Sequence, residues 1–159
     1  MKRGKPILYI DVDGVLLVDG GPLSPDGRAR LRPCAREFLE YSTEQFDCRW
    51  LTGWHYNDER SHIEELYELY LKPAGVRRTT FSRIGSHDWK FMSDMIVDKL
   101  NSLNFEDDIY VIDDLIVDHI IHPECPHRFL KIHPTRPYEL MRILKILKKI
   151  VEGQHSNAR

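Results

Sequence analysis

Two acidic residues directly follow a short apolar segment near the start of the chain. Residues 7–10 read as a buried strand, and Asp11, Val12, Asp13 and Gly14 come next. Two carboxylates this close cannot both ionise at low cost in a protein interior unless a cation compensates them. A divalent metal ion would supply that charge, and the glycine would let the backbone turn sharply beside it. The pattern therefore predicts a metal site at the carboxyl end of the first strand.

Apolar segments that read as strands alternate with amphipathic helices along the rest of the chain. Strands are predicted over residues 7–11, 48–52, 109–112 and 128–132, with a weaker strand or extended loop at 79–81. Helices are predicted over residues 33–46, from 57 or 58 to 71, from 88 to 103, and from 137 to 151. This order favours an α/β fold, namely a three-layer α/β/α sandwich with a mainly parallel sheet covered on both faces.

Polar residues follow these predicted strands at the points where the strands end. In a parallel sheet such ends lie along one edge, and ligands usually bind outside that edge. The residues concerned are Asp11, Asp13, Thr52, Asp113 and Asp114. A Gly-Gly-Pro turn at residues 20–22, between the apolar residues 16–18 and Leu23, predicts a small hairpin flap over the first two aspartates. We therefore expect one shared site at this edge of the sheet.

The length and composition are typical of one globular domain. The chain has 159 residues, of which 42% are hydrophobic and 30% charged, and we expect one domain over residues 1–152 and a polar tail over 153–159. The net charge of -2 gives no general argument for a nucleic-acid partner. No apolar run approaches the roughly 18 residues of a membrane span, so no membrane association is expected. Three widely spaced cysteines argue against a disulfide framework and favour the cytoplasm.

Four motifs, in this order, resemble those of the haloacid dehalogenase-like superfamily of phosphohydrolases. The first is Asp-Val-Asp-Gly-Val-Leu at residues 11–16, and the fourth is Val-Ile-Asp-Asp at residues 111–114. Between them, Thr52 at the end of an apolar strand matches the second motif, and Lys90 at the predicted start of a helix matches the third. The first and fourth motifs together are specific, whereas the second and third are single residues.

The resemblance implies a mechanism that uses an aspartyl-phosphate. Asp11 would attack phosphorus, and Asp13 would protonate the leaving alcohol and then help to activate water. The implied cofactor is Mg2+, held by Asp11, by the backbone carbonyl of Asp13, and by Asp113 or Asp114. Thr52 and nearby backbone N–H groups, such as that of Gly53, would hold the phosphoryl oxygens, and Lys90 would add positive charge. A metal that bridges the nucleophile and the phosphate would cancel much of the repulsion between two anions.

The short intervals between the motifs resemble those of members with a minimal cap. Such open sites often accept large substrates, including proteins and nucleic-acid ends. The segment 50–54, Trp-Leu-Thr-Gly-Trp, together with Asn57, further resembles small members linked to RNA end repair. We therefore expect hydrolysis of a phosphate monoester, whose alcohol is a small molecule, a nucleotide or a nucleic-acid end. The alternatives are an end-processing phosphatase for RNA or DNA and a non-catalytic module that binds a phosphorylated ligand.

Several of these residues also have simpler structural explanations. Lys90 could be an ordinary solvated residue, and Trp54 could cover the edge of the core rather than stack on a base. Three histidines and a cysteine lie close together in the sequence: His119, His122, Cys125 and His127. Their spacing does not match a standard zinc pattern, so we interpret them as part of a loop near the active edge.

Overall fold

A five-stranded parallel sheet forms the centre of the protein. The computed structural model describes residues 4–53, 60–116 and 126–157. The strands in these residues are β1 (Ile7–Ile10), β2 (Leu17–Val18), β3 (Arg30–Leu31), β4 (Asp47–Trp50), β5 (Gly85–Ser86), β6 (Ile109–Asp113) and β7 (Phe129–Lys131). The main sheet has the order β5-β4-β1-β6-β7, and all of its pairs are parallel. The predicted α/β fold with a mainly parallel sheet is confirmed at this level.

Helices flank this sheet, and each of its faces carries an apolar core. The helices are α1 (Ala35–Gln45), α2 (Arg60–Leu66), which continues into a π-helical turn (Tyr67–Leu71), α3 (Arg78–Ser82), α4 (Met95–Asn101) and α5 (Glu139–Asn157). Side chains of a strand point alternately to opposite faces. Leu8 and Ile10 of β1 accordingly join the core that contains α1 and α5, whereas Tyr9 joins the core beneath α4. Burial on both faces explains why the central strands β1 and β6 are almost entirely apolar, with Asp113 at the end of β6 as the exception.

The strand register brings the predicted site residues to one edge. Ile10, the last residue of β1, is paired with Trp50 of β4 and with Ile112 of β6. The three central strands therefore end level with one another. Asp11 and Asp113 emerge side by side as a result, and the backbone N–H of Asp11 still donates to the carbonyl of Ile112 at 3.1 Å.

A small antiparallel hairpin follows the first strand. Leu17 and Val18 of β2 pair with Leu31 and Arg30 of β3. The hairpin is present as expected, but Leu23 does not form its second strand. Leu23 ends a 3-10 turn at Gly21–Leu23, because the fixed backbone angle of proline and its missing N–H suit the first positions of a helical turn.

Two predicted elements differ from the structure in type or position. Residues 79–81 belong to α3 and not to a strand, because Phe81 turns inward and packs on Tyr67, with ring centroids 4.9 Å apart. The helix predicted from Asp88 begins only at Met95, and Asp94 caps it by accepting the N–H of Val97 at 3.1 Å. The start predicted near residue 57 for the second helix lies outside the described residues.

The last helix is longer than the sequence indicated. It begins at Glu139 rather than Pro137 and extends to Asn157, so it includes most of the residues assigned to a polar tail. Gln154 contributes to this extension, since its Nε2 donates to Asp108 Oδ2 at 3.1 Å. Within the described part of the chain, no helix combines the length and the apolar character that crossing a bilayer requires.

Candidate functional site

Three aspartates meet at the carboxyl end of the central strands. One carboxylate oxygen from each of Asp11, Asp113 and Asp114 lies within 4.8 Å of the other two. Asp11 and Asp113 are buried, and Asp114 is half-buried. Asp11 is fixed in part by its own loop, because its Oδ1 accepts the N–H of Val12 at 2.8 Å. The sequence predicted this convergence from the strand ends.

Gly14 makes room for one of these carboxylates. A Cβ atom added at this position would lie 2.0 Å from Asp114 Oδ2, far inside any allowed contact. Gly14 also has a φ of 77°, a conformation that costs other residues roughly 1–2 kcal/mol. The turn is held by the bond from the N–H of Gly14 to the carbonyl of Leu17, at 2.8 Å. The glycine of the first motif is therefore required both by the turn and by the close approach of Asp114.

A buried lysine on α4 compensates part of the negative charge. The Nζ of Lys99 lies 3.2 Å from Asp11 Oδ2 and 3.0 Å from Asp113 Oδ2, and the side chain is fully buried. Although burial opposes it, the two carboxylates hold the pKa of Lys99 above its ordinary value. Three carboxylates facing one ammonium group leave an excess of two negative charges when all are ionised.

This excess charge disturbs the acid–base equilibria of the cluster. Burial, together with the charge of Asp113, raises the pKa of Asp11 to about 8, although Lys99 opposes the shift. Burial and Asp113 likewise raise the pKa of Asp114 to about 6. Carboxylate oxygens are the ligands that Mg2+ and Ca2+ prefer, and a divalent cation would balance the two excess charges. The three aspartates could thus hold a metal ion.

The carboxylates differ in how fully their oxygens are already used. Asp113 binds Lys99 through Oδ2, and its Oδ1 accepts the N–H of Leu115 at 2.9 Å. Asp11 and Asp114 line the adjacent pocket, whereas Asp113 is not part of its described lining. Of the two residues of the fourth motif, Asp114 is therefore better placed to bind a metal ion, and Asp113 is better placed to orient Lys99.

An open pocket of about 470 Å3 lies over the cluster. Its lining comprises Asp11, Asp13, Gly14, Gly53 and Asp114, together with the hairpin residues 18–21 and with Met95, Leu115, Pro134 and Thr135. Asp13 is exposed to the pocket, unlike the buried Asp11. A buried carboxylate and an exposed carboxylate that line the same pocket can serve as a nucleophile and as a proton donor, respectively.

The second motif lies at the same edge. Thr52 is fully buried just beyond β4, and its backbone carbonyl accepts the indole N–H of Trp89 at 3.2 Å. Gly53, the next residue, lines the pocket. The structure therefore brings the backbone of this motif to the site, with the Thr52 side chain enclosed beside it.

Lys90 is not brought to the cluster. It is exposed, and it precedes the start of α4 by five residues, so its predicted position at the start of a helix is wrong. The physical reason is Asp98, whose Oδ2 accepts the N–H groups of Met92 and Ser93 at 2.7 and 3.0 Å and so holds this segment as a loop.

Lys99 is the residue that the sequence analysis missed. It shares one face of α4 with Ile96 and Leu100, and all three are buried. A lysine at a buried position of an amphipathic helix is unusual unless it is paired. A lysine on the apolar face of a predicted helix was therefore the sequence signal that could have identified Lys99 as a paired, functional residue.

The segment with three histidines and a cysteine contributes little to this description. His119, His122 and Cys125 lie outside the described residues, as do Trp54 and Asn57. His127 is described and is exposed in a 3-10 turn at Pro126–Arg128. The interpretation of this segment as a loop near the active edge stays a prediction.

Comparison with known proteins gives no relative from which a function could be transferred. No protein-family model matches the chain, and no curated protein is significantly similar to it. The functional assignment therefore depends on the site itself.

Proposed function

We propose that this protein is a magnesium-dependent phosphohydrolase of the haloacid dehalogenase-like type, with the three-layer α/β/α arrangement and minimal cap of that superfamily. The observation that carries the proposal is the position of Asp11. Its carboxylate lies at the end of the central parallel strand, beside a buried lysine and two further acids, and faces an open pocket that also contains Asp13.

Asp11 is the proposed nucleophile. One of its oxygens forms a bond to phosphorus while the bond between phosphorus and the leaving oxygen breaks, which gives an aspartyl-phosphate. Attack requires the ionised carboxylate, although burial favours the neutral acid. Lys99 opposes that effect, since its ammonium group lies 3.2 Å from Asp11 Oδ2. Lys99 is thus proposed to supply the positive charge that the resemblance assigned to Lys90.

Asp13 is the proposed acid and base. It donates a proton to the leaving oxygen in the first step, and in the second step it takes a proton from the water that attacks phosphorus and releases Asp11. Its place at the exposed mouth suits this exchange with the alcohol and with water. A module that only binds a phosphorylated ligand would have no use for this second carboxylate.

The proposed metal ligands are Asp11, Asp114 and the backbone carbonyl of Asp13. When bound there, Mg2+ would offset the repulsion between the nucleophile and the phosphate oxygens. Gly53, which lines the pocket, is proposed to offer its backbone N–H to the phosphoryl group. Asp113 contributes indirectly, because it holds Lys99 against Asp11.

The lining of the pocket favours a particular kind of ester. Among the described lining residues, four are aspartates, one of them Asp19 on the hairpin, and none is lysine or arginine. Met95 and Leu115 add apolar surface and are 41% and 43% exposed. A polyanion such as a nucleic-acid end would be repelled by such a mouth. The proposed substrate is therefore a phosphate monoester with an uncharged, partly apolar alcohol.

Hydrolysis of an aryl phosphate tests this proposal. Wild-type protein should turn over the ester with Mg2+, lose activity in chelator, and lose at least ~1,000-fold in kcat when Asp11→Asn removes the nucleophile. The matched control is Asp88→Asn, which changes an exposed aspartate outside the pocket. Activity that survives Asp11→Asn, or that is unaffected by chelator, would contradict the mechanism. Preference for a phosphate-ended oligonucleotide would contradict the proposed substrate class.

The two proposed roles of Asp13, as acid in the first step and as base in the second, can be distinguished by changing the leaving group. A nitrophenolate leaves without help from an acid, whereas an alkyl alcohol needs the proton. Asp13→Asn should therefore slow the phosphate-releasing step with both esters, and should slow the first step much more for the alkyl ester. The rate of the first step is measured as the burst of released alcohol. If Asp13→Asn slows this burst equally for both esters, Asp13 is not the acid.

A further inference from the structure

A buried arginine connects two walls of the pocket. Arg32 follows β3 and is 1% exposed, yet none of its hydrogen bonds in the described part of the chain is to a carboxylate. Its guanidinium instead donates to backbone carbonyls. Burial lowers the pKa of Arg32, although Glu139 and Asp114 oppose that shift, and the group stays charged. A buried cation whose hydrogen bonds all go to backbone carbonyls is unusual, because buried charges are normally paired with an opposite charge.

The carbonyls belong to two segments that are far apart in the sequence. In the turn of residues 12–17, Nε donates to Val15 at 2.9 Å and Nη2 donates to Gly14 at 2.8 Å. In the segment 134–136, Nη1 donates to Arg136 at 2.6 Å, with a longer contact from Nη2 to Pro134 at 3.4 Å. One rigid, planar group therefore bridges both segments.

Both segments form part of the pocket. The turn contributes Asp13 and Gly14 to its lining, and the segment 134–136 contributes Pro134 and Thr135. The hairpin also lies against this segment, because a Cβ added at Gly21 would lie 3.3 Å from the Thr135 methyl group. A single buried side chain thus hydrogen-bonds two segments that line the pocket.

We propose that Arg32 is a positioning residue that clamps the turn of residues 12–17 to the segment 134–136. The clamp keeps Asp13 and Gly14 at a set distance from Pro134 and Thr135, so the lining of the pocket keeps its shape and Asp114 keeps its place on Gly14. The contribution to catalysis rests on the proposed function, whereas the coupling of the two segments does not.

Amide hydrogen exchange tests the coupling without any assay of activity. Both segments contain bonded amides to follow, including that of Leu17 on the carbonyl of Val12 and that of Arg136 on the carbonyl of His133. Arg32→Lys keeps the charge but replaces the three donating nitrogens of Arg32 by one, so most of the hydrogen bonds that bridge the two segments are lost. We expect exchange to rise about tenfold or more in both segments together, since charged hydrogen bonds are lost there, and to stay unchanged in β1 and β6.

The chain offers a matched control at the opposite end of the sheet. Arg128 also donates to two backbone carbonyls, those of Phe105 and Asp107, but it lies outside the pocket. Arg128→Lys should leave exchange in both segments as it is in the wild type. Three results for Arg32→Lys would overturn the clamp. Amide exchange could rise in only one of the two segments, in neither of them, or equally in the segments and the central strands.

A reciprocal variant covers the case in which Arg32→Lys does not fold. Replacing Pro134 and Thr135 together by glycine leaves Arg32 intact but loosens one wall. If the clamp couples the two walls, exchange should rise in the turn of residues 12–17 as well. A turn that exchanges as in the wild type would overturn the proposal.

Kinetics then decide whether the clamp serves the reaction. For an alkyl phosphate, Arg32→Lys should lower kcat by ~10- to 100-fold and change KM less, because misplaced groups act mainly on the chemical step. Methylguanidinium should restore part of the kcat of Arg32→Ala, and methylammonium should not. A kcat within twofold of the Arg128→Lys control would overturn the catalytic part. Absence of turnover in the wild type would overturn the proposed function and that part together, while the exchange results still decide the coupling.

Discussion

Replacing Lys99 by methionine should strongly destabilise the metal-free protein. Lys99 is fully buried and lies 3.0 to 3.2 Å from two buried carboxylates. Removing one partner of a buried ion pair typically costs about 3–5 kcal/mol, because the remaining charge is left uncompensated. At roughly 2–4 °C per kcal/mol for a domain of this size, the melting temperature should fall by ~6–20 °C.

The size of this effect should depend on pH. The pKa of Asp11 is raised to about 8, so in the folded state its neutral form is favoured relative to the unfolded chain. The stability that Asp11 contributes is therefore greatest below its ordinary pKa and is lost as the pH rises through about 8. Removing the ammonium group would raise this pKa further. The difference between Lys99→Met and the wild type should consequently be larger at pH 8.5 than at pH 5.

The assay is urea denaturation in chelator at both pH values, with Lys90→Met as the control. Lys90 is exposed, so its replacement should change stability by no more than ~0.5 kcal/mol. Added Mg2+ should then stabilise Lys99→Met more than the wild type, because the variant leaves a larger negative charge in the cluster. The reasoning fails if the two lysine variants are equally stable at pH 8.5, or if the cost of Lys99→Met does not depend on pH.

Three further substitutions have defined outcomes. Gly14→Ala should cost roughly 1–2 kcal/mol in urea denaturation from backbone strain, and should also abolish the rise in melting temperature on adding Mg2+, because its Cβ displaces the Asp114 carboxylate. Cys34→Gly should stabilise the protein by about 0.5–1 kcal/mol, since Cys34 has a φ of 65° that glycine adopts without strain. Asp98→Ala should lower the melting temperature at neutral pH. The N–H groups of Met92 and Ser93 lower the pKa of Asp98, so this difference should narrow as the pH falls below the ordinary carboxyl pKa.

The parts of the site that could be predicted from sequence are those set by strand ends. Buried parallel strands are apolar throughout, and the polar residues that follow them stand out. Asp11 and Asp113 were found in this way, and the register of β1 against β6 places them together. Gly14 and Asp13 could be assigned from their position within the same short motif.

The predictions that were wrong concern the start of α4 and the position of Lys90. They depend on which of two nearby aspartates caps the helix, and a sequence pattern does not decide between them. Asp88 and Asp94 are both suitable helix caps, and Asp98 decides between them by binding the N–H groups of the preceding loop. The six-residue shift in the cap moves Lys90 out of the helix. Arg32 was also missed, since a buried arginine that binds backbone carbonyls leaves no motif.

The register of the central strand has a consequence for the order in which the protein folds. β1 is synthesised before its neighbour β6, which begins about 100 residues later, at Ile109. Pairings of such long range form slowly, because a large loop must close first. Until β6 arrives, the β1 edge that precedes Asp11 stays unpaired on that side, and the cluster lacks Asp113 and Asp114. The acidic cluster is therefore completed only when β6 pairs with β1, after β4 and β5 have already been synthesised.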